Sequence, residues 1–115
     1  MTPVQERNAT AEEAVIVEFK YGLTDLGPLR ELEDRLAAAI DGVKAGDYDG
    51  DEIATDLTHG FLYLHGPNAD RLFGVARPVL ESASFMRDAV VRLRFGPPGR
   101  REIKVVISPS SSGAR

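Results

Sequence analysis

At 115 residues the chain can build one hydrophobic core and is too short for two. A composition of 43% hydrophobic and 28% charged residues with a net charge of -4 is that of an ordinary globular domain and argues against non-specific attraction to nucleic acid or anionic lipid. The absence of cysteine excludes a disulfide framework and thiolate metal sites, and no apolar run approaches the ~20 residues of a membrane helix.

Residues 1–12 are polar and aperiodic and read as a flexible N-terminal arm. They hold no apolar segment of the signal-peptide kind, so a cytoplasmic protein is expected. From Ala14 to Tyr21 the chain alternates. Val15, Val17, Phe19 and Tyr21 share one face and Ile16, Glu18 and Lys20 the other, which predicts a strand with the first set toward the core.

Gly22 to Gly27 is a connection, with Thr24 and Asp25 as capping candidates. Pro28 suits the first turn of a helix. Leu29, Leu32, Leu36, Ile40 and Val43 then recur every three or four residues, forming one apolar helix face. Arg30–Asp34 and Glu31–Arg35 are expected as i,i+4 pairs on the solvent side. Gly46 to Gly50 reads as a loop.

Ile53, Thr55 and Leu57 alternate with Glu52, Ala54 and Asp56 and predict a second strand. Thr58-His59-Gly60 is short enough to close a hairpin. In the third strand Leu62 and Leu64 share one face, and His59, Phe61, Tyr63 and His65 the other. After Gly66, Pro67 stops that strand for want of a backbone donor. Asn68 is the expected N-cap of a second helix, with Asp70 facing the positive end of its dipole. Leu72, Phe73, Ala76, Val79, Leu80 and Ala83 give an apolar face from about 68 to 84, with a kink or break expected at Pro78. Ala89, Val91, Leu93 and Phe95 alternate in a fourth strand. Gly96 to Gly99 is a turn, with Arg100 and Arg101 solvated beyond it. Ile103, Val105 and Ile107 alternate in a fifth strand, and residues 109–115 read as a disordered tail.

The order β-α-β-β-α-β-β predicts one α+β domain over residues 13–108, a two-layer sandwich with both helices on one face of an antiparallel sheet. A ferredoxin-like arrangement with sheet order 5-4-1-3-2 is the first expectation and a meander the alternative. The other sheet face is then open and carries Ile16, Glu18, Lys20, Phe61, Tyr63, Arg92, Arg94, Lys104 and Val106.

This open face is the candidate binding surface, through Phe61, Tyr63, Arg92, Arg94, Lys104 and Glu18. Two aromatic residues beside arginine and lysine resemble the base-stacking platforms of RNA-binding sheets. The interspersed carboxylates Glu18, Glu52, Asp56 and Glu102 oppose phosphate binding, which needs a positive field. Apolar side chains gathered on one exposed face favour contact with a protein, either a partner or a second copy. His59 and His65 lie ~20 Å apart along an extended strand and cannot share a metal unaided. Gly66 to Asp70 opens a helix, but Asp70 already supplies the negative charge an anion would bring. No nucleophile elbow, zinc motif or phosphate loop is present. The expectation is a non-enzymatic protein-interaction domain with no catalytic residues, metal or cofactor, no membrane association, and a protein partner or self-association in preference to nucleic acid. RNA binding through the open sheet, or a small ligand held near His59, His65, Glu52 or Asp56, are the alternatives.

Tyr48-Asp49-Gly50, Glu52-Ile53, Leu62 to Pro67, Ala69-Asp70, Leu72-Phe73, Arg77 to Leu80 and Val91 to Gly99 together resemble a group of small bacterial α+β proteins over residues 14–107. The resemblance implies a shared fold and carries no activity. Some of the group resemble small acidic cytoplasmic proteins of the toxin-immunity kind, which would imply an immunity-like partner.

Overall fold

The computed structural model describes residues 12–97 and 99–107; the readings of an N-terminal arm over 1–12, all but Glu12, and of a tail over 109–115 lie outside them. Strand β1 (Glu13–Lys20) leads to helix α1 (Gly27–Gly42). Strands β2 (Asp47–Ile53) and β3 (His59–Gly66) form a hairpin, followed by helix α2 (Ala69–Glu81). A single 3₁₀ turn (Ser84–Met86) precedes β4 (Val90–Arg94) and β5 (Glu102–Val106). The five strands make one sheet in the order β2-β3-β1-β4-β5, every neighbouring pair antiparallel. The fold is therefore α+β, with two helices and an antiparallel sheet.

The core lies between sheet and helices. Val15, Val17, Leu62, Leu64, Val91 and Leu93 from the sheet meet Leu29, Leu32, Leu36 and Ile40 of α1 and Leu72, Ala76 and Leu80 of α2, all essentially inaccessible. The leucine stripe of α1 fails only at Val43, which is 48% exposed because the helix ends at Gly42. Arg30–Asp34 and Glu31–Arg35 do not form. Arg30 bridges Glu33 at 2.8 Å and Asp51 at 2.6 Å, while Arg35 donates to Ser82 Oγ at 2.6 Å on α2's C-terminus. The buried Glu33 one turn along and partners on other elements, Asp51 and Ser82, replace exposed neighbours worth only a few tenths of a kcal/mol.

Helix α2 starts as its sequence predicts: Asn68 Oδ1 accepts from Arg71 N at 2.9 Å. Glu13 of β1 accepts from Ala69 N at 2.8 Å and satisfies a second orphan donor of the first turn. Pro78 neither ends nor divides the helix, which continues to Glu81. The proline is exposed and sits in the last turn, where Ser82 N and Ala83 N switch to the tighter bonds with Val79 O and Leu80 O.

The largest departure from the sequence reading is β2. It occupies 47–53, most of which reads as loop, and residues 54–58 form the turn instead of a strand. Tyr48 lies opposite Leu64 and Asp51 opposite Leu62, so three steps on β2 match two on β3. One extra residue breaks the period of two and hides the strand from an alternation test. The turn is fixed by Asp56, whose Oδ1 accepts from Thr58 N at 3.1 Å and Thr58 Oγ1 at 2.7 Å, with Leu57 at φ 62. At the other end of the hairpin the backbones nearly touch. A Cβ on Gly46 would lie 2.1 Å from His65 O, and one on Gly66 2.4 Å from Ala45 O, so this crossing requires glycine on both sides.

Alternation along β5 places Ile103 beneath the helices. It is 44% exposed, because α2 rests on β1, β3 and β4 and neither helix packs substantially on β5.

Candidate functional site

Successive side chains on a strand point to opposite faces, so burying Val15, Val17, Leu62 and Leu64 turns Ile16, Glu18, Phe61 and Tyr63 to the other side. The register then assembles the open face in rows. Glu52, Phe61, Glu18, Val90 and Val106 lie side by side across the five strands. The next row holds Tyr63, Ile16, Arg92 and Lys104, and the next Asp47, His65, Ala14, Arg94 and Glu102. Phe61, Tyr63, Arg92, Arg94, Lys104 and Glu18 are thus all on one face.

At its centre the rings of Phe61 and Tyr63 are stacked, 6.2 Å between centroids and 14° between planes. The Tyr63 hydroxyl donates to Glu52 at 2.5 Å, and this bond pushes the phenol up to about 12. Arg92 donates to Glu18 at 3.3 Å, and Arg94 donates to Gly96 O at 2.8 Å. His65 Nδ1 pairs with Asp49 and His59 Nδ1 with Thr58 Oγ1, so the two histidines share no partner. The face is polarised. Asp47, Asp49 and Glu52 line the β2 side, whereas Arg92, Arg94 and Lys104 lie on β4 and β5 with Glu18 and Glu102 interspersed among them, and the aromatic pair stands between.

At the end of the face where Lys20 lies opposite His59, a depression of about 530 Å³ is lined by the polar residues Glu18, Lys20, Thr58, His59, Arg87 and Asp88 and by Phe19 and Val90. His59 Nδ1 meets Thr58 Oγ1 at 2.9 Å. His65, Glu52 and Asp56 are not among its lining residues. Among the described residues no three His, Asp or Glu side chains are grouped to hold a metal ion.

A second polar constellation, missed by the sequence reading, sits on the helix side at the β2 edge. Glu33, only 8% exposed, accepts from Tyr48 Oη at 2.8 Å and from Arg30 at 2.8 Å. Burial, reinforced by Asp51, pushes its carboxyl above the usual carboxylate range despite these donors. Burial and the bond to Glu33 push the Tyr48 phenol up in turn. The available signal was Glu33's place one helical turn after Leu29 and before Leu36, on the apolar stripe. A buried carboxylate there demands partners, and they come from the strand that alternation conceals.

No protein-family model, curated protein or solved structure matches the chain. Among the described residues no helix is long and apolar enough to cross a membrane.

Proposed function

We propose that this chain is a non-enzymatic protein-interaction domain of ferredoxin-like arrangement that engages a protein partner through the open face of its sheet. The observation carrying this reading is the stacked Phe61–Tyr63 pair in the middle of a sheet face that no described element covers, with Glu52 and Glu18 on either side of Phe61 and Arg92, Arg94 and Lys104 beyond Glu18 on β4 and β5. Such a surface suits another protein: a central aromatic anchor with a charged rim that sets orientation. It suits nucleic acid poorly. Arg92 is already paired with Glu18, the phenol of Tyr63 is held by Glu52, and the rings stack on each other instead of presenting separate platforms for bases.

The depression beside His59 supports a second reading, a small-ligand site, because Lys20 and Arg87 stand with Glu18 and Asp88 around it.

Hydroxyl-radical footprinting of the purified chain and of the same chain in extract from the cells that make it tests the first reading. Phe61 and Tyr63 are expected to be protected in extract while Leu23, 39% exposed outside the sheet, is unchanged. Equal oxidation in both samples overturns it. Protection that disappears on nuclease treatment transfers the face to nucleic acid.

A further inference from the structure

The two edges of the sheet are unlike. The β2 edge is defended: it is acidic, interrupted by a register shift between Tyr48 and Asp51, carries Gly50 at φ 105, and is tied to α1 through Arg30–Asp51 and Tyr48–Glu33. These are the devices that discourage strand addition. Among the described residues the β5 edge has no register shift, no positive-φ residue and no side-chain tie to a helix, and its only charges are Glu102 and Lys104. It pairs with β4 in unbroken register from Glu102 to Val106, and it exposes Ile103 on one face and Val106 on the other, 44% and 54% accessible. Neither helix covers it.

The hydrogen bonds specify which β5 groups face outward. Phe95 N donates to Arg101 O at 3.0 Å and Ile107 N to Ala89 O at 2.8 Å. Antiparallel ladders alternate, so the peptide groups of Arg101, Ile103, Val105 and Ile107 point to β4. Those of Glu102, Lys104 and Val106 point away from the sheet, with no strand beside them among the described residues.

We propose that the β5 edge pairs antiparallel with the β5 edge of a second copy of this chain, about a two-fold axis at Ile103, joining two five-stranded sheets into one. In this register Glu102 of one copy stands opposite Lys104 of the other, twice by symmetry. Both are outward-facing positions, so each pair exchanges its backbone bonds while its side chains are of opposite charge. Ile103 meets its own counterpart at a non-hydrogen-bonded site, where side chains approach most closely. Centring the axis on Lys104 opposes two ammonium groups, and centring it on Val105 sets Lys104 against Val106 and leaves the charges without counterparts. Within one chain Lys104 lies beside Arg92, and among the described residues neither Lys104 nor Glu102 has an ion pair. A lone edge lysine ordinarily discourages pairing; here it selects the register. The contact is small, so the dimer belongs in the micromolar range and not with obligate dimers.

Sedimentation equilibrium on the full chain over a wide concentration range tests this. The wild-type chain is expected to self-associate to a dimer. Lys104→Glu opposes like charges at both sites and is expected to weaken the dimer by about tenfold or more, although in its own chain it gains Arg92 as a neighbour. Adding Glu102→Lys restores the opposite pairing and the dimer with it. Lys104→Pro removes only an outward N–H, so it leaves the ladder to β4 intact and abolishes the dimer, with circular dichroism reporting the fold. Tyr63→Ser leaves the dimer unchanged, which keeps this inference separate from the role proposed for the open face. A strictly monomeric wild-type chain, or a dimer that survives Lys104→Pro or is lost with Tyr63→Ser, overturns it.

Discussion

Glu33 holds a place on α1 that the leucine stripe reserves for an apolar side chain, and its acidity reflects that place. Its folded pKa lies above the ordinary value near 4.5, so the folded chain binds this proton more tightly than the unfolded one. The resulting stability is fully present below the unfolded pKa and is lost as the pH rises through the folded value. Glu33→Gln keeps an acceptor for Tyr48 and removes the titration. Thermal melts of the two proteins are therefore expected to diverge in favour of the glutamine variant from acid toward neutral pH; a difference independent of pH contradicts the burial of this carboxyl. Glu33→Ala instead leaves the Tyr48 hydroxyl without its acceptor and is expected to destabilise the fold by about 1–3 kcal/mol, measured by denaturant unfolding. Arg30 illustrates what local spacing cannot foresee. Its helix neighbours Glu33 and Asp34 are both legible in the sequence, but the choice of Glu33 at i,i+3 together with Asp51 of β2 depends on where that strand docks.

For the elements, legibility followed periodicity. Helix α1 and strands β1, β3 and β4 carry unbroken patterns, and both their positions and their buried faces agree with the alternation of their sequences. Strand β2 carries an extra residue and an acidic sequence, so the period of two fails although the strand forms. The turn at 54–58 reads as strand because Asp56 and Thr58 make a side-chain turn within residues that alternate well enough to mimic one. The two faces of β3 can be separated by mutation. Leu62→Ala opens a cavity under the helices and is expected to cost about 2–5 kcal/mol, whereas Tyr63→Phe on the opposite face stays within about 0.5 kcal/mol. Chemical denaturation measures both, and similar losses at the two positions would contradict the face assignment. Asn68→Ala removes the cap of α2 and is expected to cost about 1 kcal/mol by the same measurement.

Over the whole molecule, the number and type of elements were readable, since two amphipathic helices among alternating strands leave few ways to bury one core. The extent of the helical layer was not. Alternation places Ile103 and Val105 on the helix side of β5, but two helices are too narrow to roof five strands, so the last strand is left partly bare. The chemistry of the open face was readable as a set of residues; its polarity, acidic at β2 and net basic over β4 and β5 with Glu18 and Glu102 interspersed, depends on strand order and register. That polarity orients whatever docks there, and raised ionic strength is expected to weaken the docking, because exposed charges are screened over about 8–10 Å at physiological salt. The most direct measurement is photo-crosslinking in the cells that make the chain, with a benzophenone side chain replacing Tyr63 and, as control, replacing the exposed Asp34 on α1. A discrete protein adduct from position 63 and none from position 34 is the expected result. No adduct from 63, or the same adducts from both positions, would contradict a protein contact on the open face.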